Sequence, residues 1–113
     1  MARFWAAALD GYAVALYDDA ELERLRSAGV DDPEHDPTVL VEPSGTGLRL
    51  WFQRVSEVKV VKNRVHLDLE CECDVDVEVA RLLALGAELS PRQANESLVV
   101  LLDPEGNEFC LLR

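Results

Sequence analysis

The chain has 113 residues, with 22 Asp and Glu against 11 Lys and Arg, a formal charge of −11, three cysteines and 49% hydrophobic residues. One domain of this size buries roughly 65% of its unfolded surface without staples, and the acidic balance excludes a general binder of nucleic acid or anionic membrane, which needs a basic face. No apolar run approaches the ~18 residues of a membrane span, Met1 leads into Ala2-Arg3-Phe4-Trp5 without a signal-peptide pattern, and the expected location is cytoplasmic.

In chain order, Ala2 to Leu9 is helix-prone, with Phe4, Trp5, Ala8 and Leu9 on one stripe and Gly11 ending the run. Tyr12 to Tyr17 reads as a short strand. Asp18 with Glu21 three residues on resembles a capping box for a helix that reaches about Ala28 and stops at Gly29. Asp31 to Pro37, with two prolines and four acids, predicts a solvated loop. Thr38 to Glu42, a Pro43 to Gly47 turn and Leu48 to Val55 form a hairpin signal. In the segment Val65 to Val79, Val65, Leu67, Leu69, Cys71, Cys73 and Val75 alternate with His66, Asp68, Glu70, Glu72, Asp74 and Asp76, and period two predicts a strand with one face on a helix layer. Asp74 is a good N-cap for an amphipathic helix over Val75 to Leu85, which Gly86 stops. Leu98 to Asp103, Pro104 to Asn107 and Glu108 to Arg113 form a second hairpin.

Val41-Glu42-Pro43-Ser44-Gly45 lines up with Leu102-Asp103-Pro104-Glu105-Gly106, and the order helix, strand, hairpin occurs twice. The chain therefore reads as two copies of one unit of about 50 residues, unit one over about 1–56 and unit two over about 57–113, in a single domain spanning 1–113. The second copy has a strand before its helix. The first begins at the helix, so a strand preceding Met1 is expected to be missing; a third functional reading, beside binding and catalysis, is a remnant or a mis-started reading frame, folded but without function. The sheet edge left open is expected to be covered by a second copy, making a homodimer. Cys71, Cys73 and Cys110 are odd in number, and the first two are too close to bridge, so free thiols are expected. Their spacing also excludes a zinc site of the paired CxxC type.

A tandem whose second copy opens with His66-Leu67-Asp68-Leu69 and closes with Asp103-Pro104-Glu105-Gly106-Asn107-Glu108-Phe109-Cys110 resembles the glyoxalase-like branch of the vicinal oxygen chelate superfamily, which includes bleomycin resistance proteins and extradiol dioxygenases. Phe4 to Leu9, Phe52 to Val55, Val61 to Arg64, Ala80 to Leu82 and Leu85 to Ala87 are similar to that branch in the same order. The resemblance implies an α+β fold of tandem βαβββ units, curled mixed sheets around a shared cleft, with the first strand of the N-terminal unit missing. It also implies one divalent ion, zinc, iron, nickel or manganese, held by four side chains, two from each unit. His66 matches the opening ligand of the second unit. Cys110 stands where its closing Glu is expected, Leu50 stands near the closing position of the first unit, and the remaining ligand falls on the missing strand. With one of four ligands intact, no cofactor is firmly assigned.

The residues leave several roles open. His66 reads first as a polar cleft residue bonded to its neighbour Asp68, ahead of a metal ligand or general base. The row Asp68, Glu70, Glu72 reads as the wet face of a strand before a cation site. Arg54, Lys59, Lys62 and Arg64 read as partners for those acids before a grip on an anionic ligand. Cys110 reads as a half-buried thiol rather than a nucleophile. Trp51 and Phe52 point to opposite faces, so one of them faces the cleft. The expected cleft residues are His66, Asp68, Phe52, Glu108 and Cys110. The leading function is metal-free binding of a small molecule. The alternative is a metal-dependent lyase, isomerase or dioxygenase acting on vicinal oxygens, with ligands completed by a partner chain or the absent strand.

Overall fold

Left-handed glycines mark the helix ends: Gly11 (φ 72°), Gly29 (φ 80°) and Gly86 (φ 107°) each follow one, in backbone that costs other residues steric strain. The computed structural model describes residues 1–93 and 97–112, in two compact units, residues 2–56 and residues 57–113 with Met1. Arg113, the last residue of the expected closing strand, lies outside the described residues.

The first unit runs α1 (Ala2–Ala8), β1 (Tyr12–Val14), α2 (Asp19–Ser27), a 3-10 turn at Pro33–His35, β2 (Thr38–Pro43) and β3 (Leu50–Gln53). The strands pair antiparallel in the order β1-β2-β3. Ala2, Phe4, Trp5 and Ala8 of α1 are buried, and the Phe4 and Trp5 rings meet edge to face at 5.4 Å. Val41 is fully buried on β2. Asp18 caps α2 as the capping signal implies, its Oδ1 accepting the Glu21 N–H at 2.8 Å. The loop before β2 differs from the expected solvated connection. Asp36 is only 3% exposed and accepts hydrogen bonds from the Tyr17 hydroxyl at 3.1 Å and the Thr38 N–H at 2.9 Å. A carboxylate can be buried there because Arg24 also approaches it, at 3.6 Å.

The second unit runs β4 (Asp68–Leu69), α3 (Val75–Ala84), β5 (Glu88–Leu89), β6 (Leu98–Leu102) and β7 (Glu108–Leu112). The sheet order is β4-β7-β6-β5, with β4 parallel to β7 and the other pairs antiparallel. Phe109 and Leu111 of β7 share one face with Val99 and Leu101 of β6. That face is buried, as is Leu82 of α3, and full burial of each such Leu or Phe stabilises by about 1.5–3 kcal/mol. The opposite face carries Cys110, Val100 and Asp68. Asp74 accepts the Asp76 and Val77 N–H groups and opens α3.

The alternating run from Val65 to Val75 does not form the long strand expected. Only Asp68–Leu69 is strand, Val65 and Cys73 are exposed, and Cys71 Sγ turns to the Cys73 carbonyl at 3.3 Å. The parallel register sets Asp68 opposite Cys110 and Leu69 opposite Leu111. Among the described residues, only these two of the run pair with β7. No helix among the described residues is long and apolar enough to cross a membrane.

Candidate functional site

In the first unit, the antiparallel register sorts the side chains of β2 and β3. Phe52 stands opposite Val39 and Trp51 opposite Leu40. Phe52 therefore shares a face with Val39 and the buried Val41, whereas Trp51 shares one with Thr38, Leu40 and Glu42. That second face lines a cavity of about 430 Å³, to which Tyr17, Arg24, Asp36 and Arg49 also contribute. The aromatic in this cavity is thus Trp51 and not Phe52. The signal was present in the sequence: Trp51 is in phase with Arg49 and Gln53, and Phe52 is in phase with Leu48 and Leu50.

The cavity wall is held by charged pairs. Arg24 reaches Glu21 at 2.7 Å and Asp36 at 3.6 Å. Arg49 reaches Glu42 at 3.5 Å, and its guanidinium lies 5.8 Å from the centre of the Trp51 ring. Burial and the bond to Asp36 push the Tyr17 phenol up from its ordinary value, so Tyr17 donates to Asp36 as a neutral hydroxyl. Arg24, Asp36 and Tyr17 come together across nineteen residues of chain, and no local spacing announces them.

In the second unit, the register places Asp68 beside Cys110 and brings His66, two residues earlier, to the same side. Asp68 Oδ1 lies 3.1 Å from His66 Nδ1, and Cys110 Sγ lies 3.8 Å from the same nitrogen. Burial pushes the Cys110 thiol up, the nearby Asp68 adds to the rise, and Lys62 opposes it. A thiol–imidazole–carboxylate relay uses the two ring nitrogens for different partners. Here both partners meet at Nδ1 and the thiol is kept protonated, which does not arm Cys110 for nucleophilic attack.

Glu108 sits outside this trio. Its carboxylate pairs with Lys59 Nζ at 3.0 Å and accepts the Asn63 N–H at 3.1 Å, and the Lys59 bond, followed by the Asn63 bond, lowers its pKa to about 2. Lys59 also donates to the Val61 carbonyl at 2.8 Å. Of the basic group expected to neutralise the alternating acids, Lys59 instead pairs with Glu108.

The atoms offered by His66, Asp68 and Cys110 lie within 4.8 Å of one another, close enough to hold a metal ion. Imidazole, carboxylate and thiolate together suit zinc or ferrous iron. The set departs from the two-plus-two arrangement implied by the resemblance: all three donors come from one unit, and Leu50 of β3 has none to give.

A family model for the glyoxalase-like domain matches residues 1–112. The chain belongs to the glyoxalase-like domain family. Two solved structures share the fold of this glyoxalase-like chain. A hypothetical protein from S. aureus superposes with a TM-score of 0.57 at 16% identity, over 98% of this chain and 82% of that one. A glyoxalase/bleomycin resistance protein/dioxygenase family enzyme from Burkholderia phytofirmans PsJN gives 0.52 at 19% identity, over 98% and 85%. The trypanothione-dependent glyoxalase I of Leishmania major gives 0.46 at 20% identity, over 87% and 80%. No curated protein matches the glyoxalase-like chain by sequence.

Proposed function

We propose that this protein is a small-molecule-binding glyoxalase-like domain whose ligand site does not depend on a metal. The observation that carries the reading is the cavity on the β2–β3 face of the first unit, about 430 Å³ with an exposed tryptophan in its wall. Its volume lies in the range of small-molecule sites, and its wall sets Trp51, Leu40 and Ala15 among charged side chains. On this reading the single domain spans residues 1–113, and His66, Asp68, Glu108 and Cys110 of the second unit, which do not line this cavity, are polar residues rather than catalysts. The test is ligand binding before and after exhaustive dialysis against a chelator, followed by Trp51 fluorescence. Unchanged affinity is the expected result, and binding that vanishes with the metal and returns with zinc would overturn it.

A second reading, a metal-dependent lyase, isomerase or dioxygenase, is favoured by one observation, the His66, Asp68 and Cys110 trio. These residues would hold the ion, which when bound would polarise the adjacent oxygens of a substrate. Cys110 must first lose a proton that its burial retains. A cytoplasmic location accords with the free Cys71, Cys73 and Cys110, and their appearance as disulfides in the natively isolated protein would refute it. A second copy of the chain is the macromolecular partner of the first reading. It is supported by Val58, Val60, Val61 and Val65, each more than 70% exposed, and a single-chain mass in light scattering at micromolar concentration would rule it out.

A further inference from the structure

We infer that the cavity of the first unit selects a flat aromatic cation, an inference that rests on the small-molecule-binding reading above. Trp51 is 60% exposed and stands in the cavity wall beside Leu40 and Ala15. An indole left in water at a concave surface is a stacking platform for a planar guest.

The ring already carries a cation. The Arg49 guanidinium lies 5.8 Å from its centre, steadied by Glu42 at 3.5 Å. That arrangement is a cation–π pair, an attraction strongest for tryptophan. A guest with a delocalised positive charge can take the place of Arg49 on the indole and keep the same attraction. It also gains the dispersion of a full aromatic face, which a guanidinium supplies only in part.

The charges around the platform choose the sign of the guest. Asp18, Glu21, Asp36 and Glu42 line the cavity against two guanidiniums, Arg24 and Arg49. Arg24 is held between Glu21 and Asp36, so an anionic guest would have to break an existing ion pair to gain a partner. Asp36 is buried, where its field is screened least. The chain as a whole, at −11, draws cations toward it and repels anions.

The test compares N-methylquinolinium, neutral quinoline and quinoline carboxylate at neutral pH and low salt, by calorimetric titration of the whole chain. The cation is expected to bind about tenfold tighter than quinoline, with the carboxylate weaker still, and added salt should narrow the gap. Trp51→Ala should weaken the cation about tenfold. Arg49→Gln should strengthen it severalfold by removing the resident competitor and one positive charge. Both side chains are exposed, and circular dichroism verifies that each variant folds. Two changes of opposite sign are not what a general loss of structure produces. If quinoline or its carboxylate binds as tightly as the cation, or if Trp51→Ala leaves the cation unaffected, the selection is overturned while the binding reading stands. If none of the three probes binds, both fall.

Discussion

The two units repeat one order of helix and antiparallel strands, yet the sheet faces away from their buried cores carry different chemistry. In the first unit that face is open, with an exposed indole, a guanidinium on it and a cavity between β2, β3 and the residues leading into α2. In the second it carries His66, Asp68 and Cys110 within 4.8 Å of one another, beside a Glu108 already bound to Lys59. The same scaffold thus supplies a stacking surface in one copy and a donor cluster in the other. The difference arises on the faces opposite Val41 in the first unit and opposite Leu101, Phe109 and Leu111 in the second.

The hairpin turns show the contrast most sharply. At the aligned positions stand Glu42 and Asp103. Asp103 is 3% exposed, and its carboxylate accepts the Glu105 N–H at 3.0 Å, the Asn107 N–H at 2.9 Å and the Asn107 side-chain amide at 3.0 and 3.1 Å. Glu42 leans outward to Arg49. Asp103→Ala strips three donors of their acceptor at once and should cost about 2–3 kcal/mol in chemical denaturation. Glu42→Ala removes an exposed ion pair and should cost less than about 0.5 kcal/mol. Equal losses would mean that the two turns are held alike.

A smaller effect separates the aligned glycines of these turns. Gly106 has φ 80°, while a methyl built there meets only the Lys59 side chain, at 4.0 Å. Gly106→Ala therefore costs the left-handed strain alone, about 1–2 kcal/mol. Gly45 is not left-handed, and nothing lies within 4 Å of a methyl placed on it. Gly45→Ala should leave stability unchanged or raise it by up to about 1 kcal/mol, through the less flexible unfolded chain. Melting of the two variants side by side reads the difference.

Much of the fold was legible because its signals are local. Asp18 and Asp74 start helices by accepting N–H groups two or three residues on, Gly11, Gly29 and Gly86 end them, and the tandem hairpins follow from turn chemistry between apolar runs. What failed depended on partners far along the chain. The alternation from Val65 to Val75 is a strand pattern, but a strand exists only where another pairs with it, and among the described residues β7 pairs with Asp68 and Leu69 of this run. The burial of Asp36 needs Tyr17 and Arg24, which come from other elements. Of the candidate site residues, His66, Asp68 and Cys110 do meet. The meeting is set by the parallel register of β4 on β7, which alternation by itself leaves undetermined. Trp51 and not Phe52 faces the first-unit cavity for a reason the sequence did hold, the shared phase of Arg49, Trp51 and Gln53.

The weakest expected effect tests whether the Lys59 pair is part of the second unit's stability or a rim decoration. Lys59 and Asn63 hold the Glu108 pKa at about 2, against an ordinary 4.5. A carboxyl lowered on folding stabilises the native state wherever the unfolded carboxyl is ionised. The contribution is therefore complete above the ordinary carboxylate range and is lost as pH falls from about 4.5 through about 2. Glu108→Gln should lower the neutral plateau and flatten that acid limb, so that the two stability curves converge at low pH where the Glu108 carboxyl is protonated. Lys59→Met should raise the Glu108 pKa, readable by carboxyl NMR titration, while the Asn63 bond keeps it from returning fully. A Glu108 titration that ignores Lys59→Met would assign the lowering to the Asn63 N–H instead, and would make the backbone of the segment before β4, rather than its lysine, the anchor of β7's first residue.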